Sequence, residues 1–441
     1  MKKVILFHPR TFHQKNYKFY WIPYSILSVG SELKREGYQV RLIDNNLETL
    51  NEKQFDEILR PYQSEDMVFV GISSMIGHQI KEGLSFANKV RNLMPSVPLV
   101  WGGPAATILS EDFINSPLVD VVVRRQGERT SVELTNSLSK NGNLESVLGI
   151  WFKNGEKILK NLDREILPKN KFARYDYNLV QTARYLREDE HIGNKVLNHI
   201  SSQGCPFGCG FCSEVALYDR KWNSESLERM MQEVRELVET YGADGIKFYD
   251  ANFFVNKNRA LSFASEVKKN GWNIKWAASA HPKNLLVLDN DNLRTISESG
   301  CSRILIGAES GNNEELRYIN KNMTTENVLE VARRLGNVGI HGSFTLIVGY
   351  PGFPEDNISK TLDFGRKIAS ISPLHEVKAH VYAPYPGTPL YQDAIKYGFV
   401  APKTLEDWAN YDYYEVQTPW LKSEVTKEVR SFNKLYCPYV L

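Results

Sequence analysis

Three cysteines within eight residues, Cys205, Cys209 and Cys212 in GCPFGCGFCSE, carry the strongest chemical signal in the chain. Their C-x3-C-x2-C spacing, with no fourth Cys or His close by, suits an iron-sulfur cluster in which one iron keeps no protein ligand. Such an open iron can bind a small molecule directly. The alternative is zinc completed by a distant residue such as His199, although zinc sets usually pair two C-x2-C elements. Cys301 in ESGCSRI reads as core, and Cys437 in LYCPYVL has no partner in sequence. Five cysteines are too few and too odd for a disulfide framework.

The elements around this loop say how it is held. It follows the apolar run KVLNHISS, and from there the runs GIKFYD, IKWAAS, SRILIGAES, GSFTLIVG and HEVKAHVYA alternate with helical patterns over 224–241, 257–270, 289–299, 325–337 and 357–370. Six such parallel units with right-handed crossovers curl into a partial (β/α)6 barrel whose active face is the carboxyl end of its strands. The strand ends then offer Asp250 and Asn252, Ser279 and His281, Glu309, and Gly349 as candidate site residues, with 384–389 as a rigid turn. Asp250 has the alternative of capping the next helix, and His281 that of a satisfied surface histidine. In the helix after the cysteines, Leu227, Met230, Met231, Val234, Leu237 and Val238 form a 3.6-period stripe, and its Met pair belongs in the core.

The first 140 residues alternate strands and helices too: KKVILFH, YQVRLID, MVFVGISS, PLVWGG and VDVVVRR, with helices over 22–36 and 79–93. This is the pattern of a doubly wound, Rossmann-like parallel sheet, which binds ligands in the loops beyond its strand ends, here 8–18, 73–78 and 102–107. The α/β chain therefore divides into an N-terminal sheet domain over 1–140, a connector over 141–190 with a hairpin around Asn154-Gly155, a barrel over 191–400, and a C-terminal capping segment over 401–441. That segment, with Trp408, Tyr411, Tyr413, Tyr414 and Trp420, is expected to cap the open side of the barrel and to line a substrate pocket.

Lys and Arg number 54 against 52 Asp and Glu, so no global basic field points to nucleic acid or an anionic membrane. No apolar run approaches the ~18 residues of a spanning helix, and MKKVILFHPR is too short in its apolar part for a signal peptide. The expectation is a cytoplasmic protein with no transmembrane segment and no nucleic-acid partner.

The cysteine loop after the first barrel strand, with aromatic Phe211 before the third cysteine, resembles the radical S-adenosylmethionine superfamily. The resemblance implies a 4Fe-4S cluster on Cys205, Cys209 and Cys212 whose open iron chelates the amino and carboxyl groups of S-adenosylmethionine. It also implies an external electron donor of flavodoxin or ferredoxin type. Asp250 stands where that family holds the methionine amino group, though Tyr249-Asp250-Ala251 replaces its Gly-Gly-Glu. Glu309 resembles its ribose- or amine-contacting acid, and Ser279 and Gly349 fall at positions facing the same cofactor, Gly349 letting adenine lie against backbone.

Together with the N-terminal sheet, SRILIGAESG, TLIVGYPG and APYPGTPLY narrow this to the cobalamin-binding subfamily. That resemblance assigns Ser73-Ser74-Met75 and Gly102-Gly103 to the nucleotide tail of cobalamin, which needs backbone without side chains. The D-x-H-x-x-G element that supplies a cobalt-ligating histidine is absent. His8 and His13 are wrongly spaced, so cobalt is expected to have no protein histidine beneath it. The implied activity is methylation of an unactivated carbon of a small, natural-product-like molecule by a 5′-deoxyadenosyl radical and methylcobalamin. The alternatives are a cobalamin-dependent radical cyclase or rearrangement enzyme without methyl transfer, and a non-catalytic electron-transfer or sensor protein.

Overall fold

The structure, a computed structural model, describes residues 1–11, 20–140, 142–412 and 417–437. His13, Tyr413 and Tyr414 lie outside the described residues. The chain forms two compact units, one of Met1–Tyr185 with Pro402–Asp412 and one of Leu186–Ala401 with Tyr413–Leu441.

In the first unit, β1 (Lys3–His8), β2 (Gln39–Asp44), β3 (Met67–Ser73), β4 (Leu99–Gly102) and β5 (Val121–Val123) are parallel, in the order β2-β1-β3-β4-β5. Their apolar runs are unbroken because helices such as Tyr24–Arg35 and His78–Leu93 cover the sheet. The order turns at β1 and β3, so the loops after these strands open where a doubly wound sheet takes its ligand. Residues 150–160, expected in a connector, belong to this sheet: β6 (Ile150–Asn154) pairs antiparallel with β5, and β7 (Lys157–Lys160) with β6. Burial of Ile150 and Phe152 draws the hairpin onto the sheet.

In the second unit, β8 (Arg187–Asp189) lies antiparallel beside β9 (Gly193–His199), and β10 (Ser202–Gly204) pairs with β11 (Trp222–Ser224) as a separate ribbon. The parallel series continues with β12 (Gly245–Phe248), β13 (Lys275–Ala280), β14 (Cys301–Glu309), β15 (His341–Val348) and β16 (Glu376–Val381). The order β16-β15-β14-β13-β12-β9-β8 gives the six parallel strands of a partial barrel. The helix expected over 224–241 begins later, at Leu227, because Ser224 is in β11; Met230, Met231, Val234 and Leu237 of its stripe are buried, the Met pair in the core, while Leu227 and Val238 are half-buried. The Thr325–Asn337 helix has the expected bounds, fixed by a capping box between Thr324 and Asn327.

A parallel edge strand leaves backbone groups unpaired. Along β16 this is met by the helix Ser423–Tyr436, whose Asn433 accepts from the Ala379 N–H at 2.7 Å and donates to its carbonyl at 2.9 Å. This helix thus covers part of the β16 edge, while Trp408 and Tyr411 of the segment expected to cap it belong to the first unit.

Candidate functional site

The cysteine loop is gripped at its base and along its length. The β10–β11 ladder closes residues 205–221 by pairing Gly204 with Trp222. Asp250, at the end of β12 and 1% exposed, accepts from Ser201 N–H and Oγ at 2.7 Å each and from Ser202 Oγ at 2.5 Å. Its carboxylate therefore fixes the entry to the loop; the cap of the next helix is Asn256. Further on, Gly210 N–H donates to the Ile319 carbonyl, Leu390 N–H to the Gly210 carbonyl, and Asn320 Nδ2 to the Gly208 carbonyl. Residues 384–389 serve chiefly to deliver Leu390 to this contact.

The three thiols are electrostatically coupled. Burial raises the pKa of Cys205, and Asn252 Nδ2 lies 3.9 Å from its sulfur. Burial, with a smaller contribution from the neighbouring cysteines, pushes Cys209 up to about 11 and Cys212 up to about 12. Burial also lifts Glu214, two residues beyond, to about 7. Three soft donors that repel one another's charge are the set that an iron-sulfur cluster neutralises, so the residues fit that group. The zinc alternative loses its fourth ligand, because His199 Nε2 is paired with Glu225 at 2.9 Å in the core.

Glu309 ends β14 in the left-handed region, at φ +63, an uncommon state for a side chain that marks stored strain. It is held there by Lys321, whose Nζ lies 2.8 Å from its carboxylate; both side chains are buried. Burial opposes the charge on Lys321, but Glu309 and Cys209 outweigh it and hold its pKa above the ordinary lysine value. A Cβ at position 307 would run into the Glu309 carboxylate, which explains Gly307 in the GAE segment. Lys321 Nζ also stands 5.9 Å from the Phe211 ring centroid, on the aromatic residue of the loop.

His281 is buried, with its Nε2 3.1 Å from the Lys321 carbonyl and its ring stacked on Phe207 at 3.7 Å. Burial first, then Lys321, lowers its pKa to about 3, so the ring is a neutral buttress of the loop. Ser279 sits half-buried on β13, level with Leu305 of β14. Gly349 departs from expectation: the space its missing side chain leaves is filled by Leu421, and its carbonyl accepts from Trp420 Nε1 at 3.0 Å, leaving no room there for adenine. Lys321, Asn252 as a partner of Cys205, and Phe207 as a stacking surface had no motif to announce them.

In the first unit the two expected glycine and serine elements meet. Ser73 lies opposite Gly102, and Ser74 N–H donates to the Gly102 carbonyl at 3.1 Å. Gly103 has φ +88, and a Cβ there would stand 2.9 Å from Ser73 Oγ and from the Ser74 carbonyl. Ser74 Oγ is buried without a hydrogen-bond partner among the described residues, and Met75 is 43% exposed. A side-chain-free cradle with an unsatisfied hydroxyl fits the nucleotide tail of cobalamin. His8 ends β1 with its pKa lowered by burial, and Gln79 Nε2 lies 3.5 Å from its Nε2.

Two family models match: the radical SAM superfamily over residues 199–365 and the B12 binding domain over 14–135. A protein of Pyrococcus horikoshii described as an uncharacterized methyltransferase is 28% identical over 84% of this chain and 78% of its own length. The anaerobic magnesium-protoporphyrin IX monomethyl ester cyclase of Synechocystis is 27% identical over 71% of this chain, which spans 62% of that relative. The radical S-adenosylmethionine methyltransferase TsrM of Kitasatospora setae, solved with cobalamin and a [4Fe-4S] cluster bound, shares the fold. Its TM-score is 0.72 at 15% identity, over 91% of this chain and 76% of that one.

Lys321→Met should cost about 3–5 kcal/mol of stability by leaving Glu309 buried and unpaired. The double variant with Glu309→Gln should recover most of that loss in chemical denaturation; equal losses in both would deny the coupling. Gly103→Leu should abolish binding of hydroxocobalamin, followed by its visible absorption, while iron and sulfide loading at the cysteines stays unchanged. Retained cobalamin binding would remove the cradle from the site.

Proposed function

The chain belongs to the cobalamin-binding subfamily of the radical S-adenosylmethionine superfamily, and on that premise we propose that it methylates an unactivated carbon of a small molecule. The observation that carries this reading is the methyltransferase description of a relative matched over 78% of its length, against 62% for the cyclase. When bound, the cluster would supply one electron to S-adenosylmethionine for radical formation, and cobalamin would supply the methyl carrier.

The chain's own residues do the holding. Cys205, Cys209 and Cys212 ligate three irons, and Asp250 acts through Ser201 and Ser202 to keep their loop in place. We assign Glu309 to the bound nucleoside, where a carboxylate can accept two hydrogen bonds from ribose hydroxyls, with Lys321 fixing its orientation. Phe211 and Ser279 border the same ligand. Ser73, Ser74, Met75, Gly102 and Gly103 take the cobalamin tail. The electron comes from an external flavodoxin- or ferredoxin-type donor, because Cys301 and Cys437 alone cannot bind a second cluster. A cyclase is the second reading, favoured by the Synechocystis relative.

The two readings differ in stoichiometry. Methyl transfer releases S-adenosylhomocysteine from one S-adenosylmethionine and 5′-deoxyadenosine from another, so with the true substrate both should accumulate together. Product formed with 5′-deoxyadenosine while S-adenosylhomocysteine stays at background would reject methylation in favour of cyclisation. Glu309→Ala should depress 5′-deoxyadenosine at least about tenfold in either case, a loss of about 1.4 kcal/mol or more in the barrier.

A further inference from the structure

At the end of the second sheet opposite the cysteine loop, its two edges come together. β8 and β16 are the outermost strands, and β9 is separated from β15 by three others in the strand order. Yet His191, in the turn between β8 and β9, stacks on His341, the first residue of β15, at 4.0 Å between ring centroids and 27° between planes. Glu376, the first residue of β16, joins them. One ligand atom from each of His191, His341 and Glu376 can be chosen so that all lie within 4.8 Å of one another. Among the described residues no ladder joins β8 to β16, so these side chains span a seam that backbone pairing leaves open.

We propose that His191, His341 and Glu376 bind one zinc ion that staples this seam. Two imidazoles and one carboxylate are a donor set that holds Zn²⁺ through three side chains, with a water completing the tetrahedron. Cys437, just past the helix Ser423–Tyr436, places its sulfur 3.7 Å from Glu376 Oε2. The other oxygen, Oε1, is anchored by Ser343 Oγ at 2.6 Å and by the Arg303 guanidinium, the outer-shell support that ligating carboxylates show. Buried Nδ1 of His341 has no hydrogen-bond partner among the described residues. Nearby His375 is a poor ligand by comparison, since Nδ1 accepts from Gly342 N–H and Nε2 contacts the Ala332 carbonyl at 2.8 Å.

The ion ties the β8–β9 turn, β15 and β16 at one point. A metal-free seam would instead consist of a stacked imidazole pair beside the Arg303–Glu376 ion pair.

Metal analysis of the full-length, anaerobically reconstituted protein after a chelator wash and dialysis separates the two. The expected result is about one zinc per chain beside the cluster iron, still present in the Cys205→Ala/Cys209→Ala/Cys212→Ala variant, and lost at least about tenfold in His191→Ala and in His341→Ala. His191 lies in a turn, so its variant should fold even if that of His341 does not. With Co²⁺ in place of zinc, the cluster-free variant should show the visible ligand-field absorption of low-coordinate cobalt, which His191→Ala removes. Zinc-free protein whose denaturation midpoint does not respond to added Zn²⁺, zinc retained in both histidine variants, or a cobalt derivative without that absorption would each overturn the site.

Discussion

Three thiols gathered in one half-buried loop do not readily all lose their protons unless a cation comes among them. Burial, with smaller contributions from the neighbouring cysteines, takes Cys209 to about 11 and Cys212 to about 12, and charge on any one makes the next harder to ionise. Lys321 stands nearby but is committed to Glu309. The loop is therefore built for an incoming metal centre with net positive charge, and the surrounding structure keeps the three sulfurs together until it arrives. The β10–β11 ladder, the Asp250 carboxylate, and the backbone bonds to Ile319 and Leu390 all serve that purpose.

The parallel sheet makes this convergence possible. With six strands running one way, each contributes its carboxyl end to the same face. Ser201 and the cysteines follow β9, Asp250 follows β12, His281 follows β13, Glu309 closes β14, Gly349 follows β15, and the turn that leads to Leu390 follows β16. Strain is concentrated where the ligand is assigned: left-handed Glu309 persists because Lys321 holds its carboxylate and Gly307 gives it space. The opposite end of the same strands carries the His191, His341 and Glu376 group, so the chemistry and the stapling of the seam are kept a barrel length apart, roughly 25 Å along an eight-residue strand.

Features with local causes were legible in the sequence. The cysteine spacing, the alternation of runs and the capping signal of the Thr325–Asn337 helix each lie within a few residues, and the strands and helices they indicate are present, the one after the cysteines starting later than expected. Features that depend on distant pairing were not. The 150–160 hairpin reads as a connector until β5 is seen to offer it an edge. Asp250 reads as a cofactor contact or a helix cap until its three serine bonds are seen. The space at Gly349 reads as an opening until Leu421, 72 residues further on, fills it. Lys321 sits in a polar loop, and no period or motif marks it as the partner of Glu309.

The account stands on an open coordination position at the cysteine loop. Electron paramagnetic resonance of the reduced, reconstituted protein with and without S-adenosylmethionine tests it most directly. Ligation of the open iron by the cofactor should change the signal of the reduced cluster, and the change should be absent from protein in which Cys205, Cys209 and Cys212 are replaced. A reduced four-iron cluster whose spectrum is the same with and without saturating S-adenosylmethionine would contradict the account.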